Sequence, residues 1–204
     1  MQLLEMTNEH IDEMTLPEVK ESLQALQVST DDMNEKMQNI IYWVKGEMGK
    51  AESQPLHFML RELVDEVADE MALQTRMKSL TVVNTIPAYW EGFDEADIVR
   101  MVLQNLLSNA VKFSWPQGEI NIGATEAQGH YWISVTDHGM GIAKEKQTRL
   151  FNDVVANTKG TEGEKGTGIG LFVSRQLLKR KGGDIRLESE EGKGTTVSFT
   201  VNKA

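Results

Sequence analysis

The chain has 204 residues, 40% of them hydrophobic, enough for one full domain with a buried core and a smaller appendage. Acidic residues outnumber basic ones 31 to 21, a net charge of −10, and no broad basic surface is left to offset phosphate repulsion, which excludes nucleic acid as a partner. Cysteine is absent, which excludes disulfide scaffolds and thiolate-held zinc and suits a reducing cytosol. No apolar run is long enough to span a bilayer and no signal-peptide pattern follows Met1. A cytoplasmic portion is therefore expected, with membrane attachment only through segments outside this sequence.

In chain order, the first feature is a seam. Leu16, Val19, Leu23, Leu26, Thr30, Met33, Met37, Ile40 and Val44 alternate steps of three and four, the spacing of a helix that wants a partner. Pro17 fits the first turn of that helix, which is expected to run to Gly46 or Gly49. A two-helix hairpin that dimerises into a four-helix bundle satisfies such a seam, with Thr30 as a tolerated polar core position. Residues 1–49 are read as a partial hairpin, 50–55 (KAESQP) as a hinge, and 56–204 as a separate domain.

Beyond the hinge, residues 56–79 read as one helix with apolar positions at Met59, Leu63, Val67 and Met71. Strand patterns follow at Thr81 to Ile86, Glu119 to Ala124, Tyr131 to Thr136, Asp184 to Glu188 and Thr195 to Val201. Between the first two of these lies a helix opened by Asp94, with Asp97 completing a capping box. Helices on one face of a mixed sheet make an α+β sandwich.

Three motifs on this frame outline a nucleotide pocket. Asn105, Asn109 and Lys112 are spaced i, i+4, i+7 on one helix face, two amide oxygens suited to Mg²⁺ and an ammonium suited to phosphate. Asparagine is a poor helix-interior residue, so two on one turn call for a reason. The strand ending at Asp137 would deliver a carboxylate that accepts from the adenine amino group and rejects the guanine carbonyl. Gly139 and Gly141 after it would let backbone pass close to a flat base and permit positive φ. The third motif, Lys165, Gly166, Thr167, Gly168 and Gly170, reads as a mobile lid. It leads into a helix whose free N–H groups near Gly170 and Leu171 form an anion site. A tight turn at Gly192 to Gly194 places Thr195 or Thr196 near the pocket.

The order of these motifs resembles the N-box, G1 box, F-box and G2 box of the ATP-binding domain of sensor histidine kinases, from about Pro55 to the C-terminus. The resemblance implies a Bergerat-type sandwich of the GHKL class, with ATP and Mg²⁺ as cofactors. By position, Asn109 resembles the Mg²⁺-binding asparagine, Asn105 its partner and Lys112 the phosphate contact. Asp137 resembles the adenine-binding acid, Gly139 and Gly141 the G1 glycines, Leu150 and Phe151 the start of the F-box, and Gly166, Gly168 and Gly170 the G2 glycines. Val154 and Ala156 stand where many members carry a second aromatic and an arginine, which makes Lys159 and Lys165 candidates for the missing charge.

The resemblance further implies phosphoryl transfer to a hairpin histidine and then to an aspartate on a response-regulator receiver domain, in a homodimer held by the hairpin. Of His10, His57, His130 and His138, only His10 precedes the seam, and it lacks the adjacent carboxylate and following proline of the family's acceptor. A return helix of about 30 residues needs a first helix of about 45 Å. Residues 1–12 are expected to be the end of that first helix, and the acceptor to lie upstream. Rival readings are a hydrolytic GHKL ATPase, which usually carries a glutamate base where Asn105 stands; a serine kinase of the anti-sigma type, disfavoured by the seam; and a non-catalytic nucleotide-sensing dimerisation module.

Overall fold

The computed structural model describes residues 14–20, 22, 23, 26, 29, 30, 33, 37, 41, 54–151, 159–164 and 168–204. The chain divides into two compact units, residues 1–44 and 45–204.

In the first unit every described residue from Leu16 to Ile41 is helical. Thr15 and Glu18 start the helix. The Glu18 carboxylate accepts from both the backbone N–H and the hydroxyl of Thr15, each at 2.7 Å, which answers one of the donors a helix start leaves without an intrahelical partner. These two bonds hold the exposed Glu18 carboxyl below its ordinary range. On the seam, Leu16, Leu23, Met33 and Met37 are 87, 58, 69 and 53% exposed. Thr30 donates to the Leu26 carbonyl at 2.9 Å, so the polar seam position is satisfied within its own helix. Ile40 and Val44 lie outside the described residues.

The second unit is a sandwich. Its strands are β1 (Leu56–Met59), β2 (Thr81–Asn84), β3 (Glu91–Asp94), β4 (Glu119–Ala127), β5 (His130–Asp137), β6 (Ile185–Glu190) and β7 (Gly194–Asn202). Its helices are α1 (Leu60–Glu70), α2 (Ala72–Met77), α3 (Ala96–Phe113), α4 (Lys144–Gln147) and α5 (Gly170–Arg180). The main sheet has the order β2-β4-β5-β7-β6, with β2 parallel to β4 and the other neighbours antiparallel. Alternation then sorts its faces. Ile120 and Ile122 of β4, Tyr131, Ile133 and Val135 of β5, and Val197, Phe199 and Val201 of β7 are buried against the helices. The opposite face carries residues such as Thr136, Thr196 and Trp132, the last lying 3.9 Å under the Arg186 guanidinium. Helices α1, α3 and α5 supply the other half of the core through Leu60, Val64, Val67, Val99, Leu103, Leu107 and Leu178. The expected α+β sandwich, with a mixed sheet and helices on one face, is the fold found.

Two local expectations fail. Residues 56–59 form β1, not the first turn of a helix. They pair antiparallel with β3, a strand the sequence reading did not find, in the register Leu56↔Asp94 to Met59↔Glu91. Leu-His-Phe-Met suits strand or helix alike, and pairing decides. Helix α1 also stops at Glu70, and α2 starts afresh after Met71. The capping box at Asp94 is absent as well. Glu95 is the residue that caps α3, without a side-chain bond. The Asp94 carboxylate is instead held by Lys181 and by the backbone N–H groups of Glu95 at 2.7 Å and Asn202 at 3.0 Å, an arrangement that joins β3, α5 and the end of β7.

Candidate nucleotide-binding site

Helix α3 is the spine of the site because its carboxyl-terminal half touches all three motifs. The sequence reading puts Asn105, Asn109 and Lys112 on one helix face, and of these Asn105 is 3% exposed. It is buried because α5 crosses it. A Cβ on Gly170 would fall 2.1 Å from the Asn105 oxygen, so only glycine permits this crossing. The Asn105 nitrogen donates to the Ser174 hydroxyl at 2.7 Å, and its oxygen accepts from the Asn109 nitrogen at 3.4 Å. Asn105 thus joins the two helices and orients Asn109, whose amide oxygen is then the end suited to a ligand. Ser174 was missed in the sequence, where a serine in an apolar helix carries no signal. The Lys112 ammonium lies 4.9 Å over the Phe113 ring.

Asp137 prolongs the buried row of β5 by one polar position and is 7% exposed. Burial pushes its carboxyl above the ordinary aspartate range, against the backbone N–H groups of Gly139 and Thr195 and the charge of His138, which pull it down. The bond from Gly139 N–H is 2.9 Å long. In register with Asp137 stands Thr195 of β7, and beside that Ser189 of β6, so a polar strip closes the apolar sheet face. Ser189 holds this rim together. Its hydroxyl accepts from Ile142 N–H at 2.9 Å, donates to the Gly194 carbonyl at 2.9 Å and lies 2.9 Å from the Thr195 hydroxyl. Gln147 adds bonds to the carbonyls of Ile142 and Ser189 at 2.7 and 2.9 Å. Neither Ser189 nor Gln147 was a sequence candidate.

The glycines admit close neighbours, and Gly141 takes the positive φ expected of it. A Cβ on Gly139 would sit 2.0 Å from the Phe113 carbonyl, and one on Gly141, whose φ is +61°, would sit 2.0 Å from the Glu190 carbonyl. These glycines let chain approach chain: Met140 N–H bonds to Phe113 O at 3.1 Å, and Gly192 N–H to Met140 O at 2.8 Å. The G1 turn is thereby wedged between the end of α3 and the β6–β7 turn. Beside it, a shallow concavity of about 360 Å³ is lined by Asp137, Ser189 and Thr195 of the polar strip together with Thr136, Glu188 and Thr196 at neighbouring positions of the same three strands.

Of the third motif, Gly168, with φ +68°, and Gly170, the first residue of α5, are described. Leu171 follows in the first turn of α5. Lys165, Gly166 and Thr167 lie outside the described residues, as do Val154 and Ala156. Phe151 is half-buried, and the Arg175 guanidinium is 5.7 Å from its ring. Lys159 is exposed.

An acid at the end of a buried strand, a glycine turn wedged against an asparagine helix, and a glycine at the start of α5 are set on the mixed sheet and one-sided helices of a Bergerat-type sandwich. Comparison with known proteins agrees. The family described as Histidine kinase-, DNA gyrase B-, and HSP90-like ATPase matches residues 94–204. The Aerobic respiration control sensor protein ArcB of Escherichia coli (strain K12) is 32% identical over 192 residues, 91% of this chain and 24% of the relative. The Adaptive-response sensory kinase SasA of Gloeothece citriformis is 28% identical over 204 residues, 98% of this chain and 52% of the relative. Among solved structures, the catalytic domain of histidine kinase ThkA in a nucleotide-free form superposes with a TM-score of 0.64 at 24% identity, covering 74% of this chain and 96% of that one. The chain belongs to the histidine kinase-, DNA gyrase B- and HSP90-like ATPases, and the relatives it is similar to over most of its own length are a respiration control sensor protein and a sensory kinase. It spans between about a quarter and about half the length of the relatives named here.

Proposed function

We propose that this chain binds Mg²⁺-ATP between α3 and the rim at Asp137 and directs its terminal phosphoryl to a histidine of the dimerisation hairpin, from which a response-regulator aspartate receives it. The observation that carries this reading is that the turn after Asp137 and the glycine start of α5 both meet the half of α3 that bears Asn105, Asn109 and Lys112, through Phe113 and Asn105. Asp137 would accept from the adenine amino group, Asn109 would hold the metal by its amide oxygen, and Lys112 would neutralise phosphate. Thr195, Gly168, Gly170 and Leu171 would border the nucleotide, with Gly166, Thr167 and Lys165 joining them from the lid. The donor set fits Mg²⁺ carried in by phosphates: one neutral hard oxygen suffices when the ligand brings the rest. Among the described residues no cluster of three acids or histidines offers a self-sufficient metal cage. The metal supplies charge neutralisation at the phosphate chain, and the protein supplies position.

Transfer is favoured over hydrolysis by the environment of Asn105. A hydrolytic enzyme needs a base at that place, whereas Asn105 is buried, bonded to Ser174 and has no proton-accepting carboxylate. The histidines of the second unit are engaged elsewhere: His57 with Glu91 at 3.1 Å, His130 with Asn202 at 3.1 Å, and His138 with the Glu119 carbonyl at 3.4 Å. This supports an acceptor on the hairpin. The open seam of Leu16, Leu23, Met33 and Met37 supports a homodimer formed there. No described helix is long and apolar enough to cross a membrane.

The test is a phosphotransfer assay with labelled ATP and a version of the chain carrying the whole hairpin. Acid-labile label on that protein, passed on to a receiver domain, is the expected result. Steady phosphate release without labelled protein would instead establish hydrolysis.

A further inference from the structure

Lys78 is 4% exposed, an unusual place for a lysine, and it lies outside every motif that defines the ATP-binding class. It follows α2, and its ammonium reaches the far end of α3. There it donates to the carbonyls of Val111 at 3.0 Å and Lys112 at 2.8 Å, two of the carbonyls a helix end leaves without intrahelical partners. The same ammonium donates to the Thr161 hydroxyl at 2.8 Å and pairs with the Glu164 carboxylate.

Residues 159–164 are thereby fastened to the helix. Thr161 donates from its N–H to Lys112 O at 3.2 Å and from its hydroxyl to Ser114 O at 2.7 Å, while Gly160 N–H closes a turn on Glu164 O at 2.8 Å. The fit is close enough that a Cβ on Gly160 would fall 2.7 Å from both the Lys112 carbonyl and its Cγ. Burial raises the Glu164 carboxyl, but the bond and charge of Lys78, with backbone N–H groups, outweigh it and leave the group below its ordinary range. Lys112 O is the node at which the Lys78 ammonium and the Thr161 N–H meet, and Lys112 is the residue whose side chain faces the phosphates in the function proposed above.

We propose that Lys78 is a positioning residue: it fixes loop 159–164 to the carboxyl end of α3 and so sets where Lys112 meets the phosphate end of the nucleotide. A buried cation with four oxygen partners on two segments distant in sequence is well suited to this role. Thr161 ties the loop to Lys112 O and Ser114 O, and Glu162 N–H bonds to the Glu164 carboxylate, so loss of the cation leaves those bonds but removes a donor from both helix carbonyls and a charged partner from Glu164. The inference rests on the nucleotide-binding reading, and its test separates the two.

Lys78→Met and the milder, near-isosteric Thr161→Val are compared with the unaltered chain in two measurements. Limited trypsin digestion reads cleavage after Lys159 at a temperature where each variant is folded. Titrations give affinities for Mg²⁺-ATP and for adenosine, which shares the base but lacks phosphate. The expected result is faster cleavage after Lys159 in both variants. ATP affinity should fall about tenfold for Lys78→Met and less for Thr161→Val, with adenosine affinity unchanged. A general packing defect would weaken ATP and adenosine in parallel, and that outcome overturns the inference. So does unaltered cleavage together with unaltered ATP affinity in either folded variant. If Lys78→Met does not fold, Thr161→Val decides by the same criteria. Absence of ATP binding by the unaltered chain would sink the nucleotide reading itself, while the digestion would still decide whether the loop is anchored.

Discussion

Asp137 places function and stability in opposition. Its carboxyl is held above the ordinary range by burial, only partly relieved by Gly139, Thr195 and His138, so the folded chain holds the proton to higher pH than the unfolded chain does. The folded state therefore binds more protons in the window between the ordinary and the raised value, and stability falls as pH rises through it. Asp137→Asn keeps an acceptor for Gly139 N–H and removes the charge. Thermal unfolding measured across pH should show this variant lacking that decline and at least as stable as the parent at neutral pH, while its ATP affinity drops. A variant that loses stability at neutral pH in step with affinity would show the carboxylate to be a structural anchor. The acid was legible only in company, because an apolar alternation ending in Asp before glycines is by itself an ordinary Asx turn and the companion motifs single it out. The work of those glycines was not legible, since the carbonyls of Phe113 and Glu190 that press on them come from distant parts of the chain.

At the scale of elements, the joint between α3 and α5 is the part most exposed to a single change. Ser174→Ala would leave the Asn105 nitrogen buried without a partner, at a loss of about 1–3 kcal/mol in chemical denaturation. It should also weaken Mg²⁺-ATP binding, because Asn109 loses the neighbour that orients it. A stability loss with fully retained affinity would separate Asn109 from this joint. Helix α3 and the central strands were readable from period: Glu119 to Ala124, Tyr131 to Thr136 and Thr195 to Val201 alternate as half-buried strands must. Strand β1 was not, because four residues compatible with either state are settled only by pairing with β3, as Phe58 pairs with Gly92. The capping role of Asp94 failed for a related reason. Lys181, at the end of α5, outcompetes the helix start for its carboxylate.

For the whole molecule, the seam and the nucleotide site make separate predictions. Replacing Leu23 and Met33 with lysine should abolish self-association measured by sedimentation and leave ATP binding by the second unit intact. Unchanged association would place the dimer contact elsewhere. The heptad pattern could be read directly from the sequence, whereas the buried lysine that anchors loop 159–164 could not, for a lone lysine at a helix end ordinarily marks solvent. Everything proposed for catalysis depends on one event, the seating of Mg²⁺-ATP between Asn109 and Asp137. Calorimetric titration of the purified chain with Mg²⁺-ATP tests it most directly. Saturable heat that weakens in Asp137→Asn and in Asn109→Ala, the latter chiefly when Mg²⁺ is present, is the predicted result. No heat, or equal affinity in parent and both variants, would contradict it.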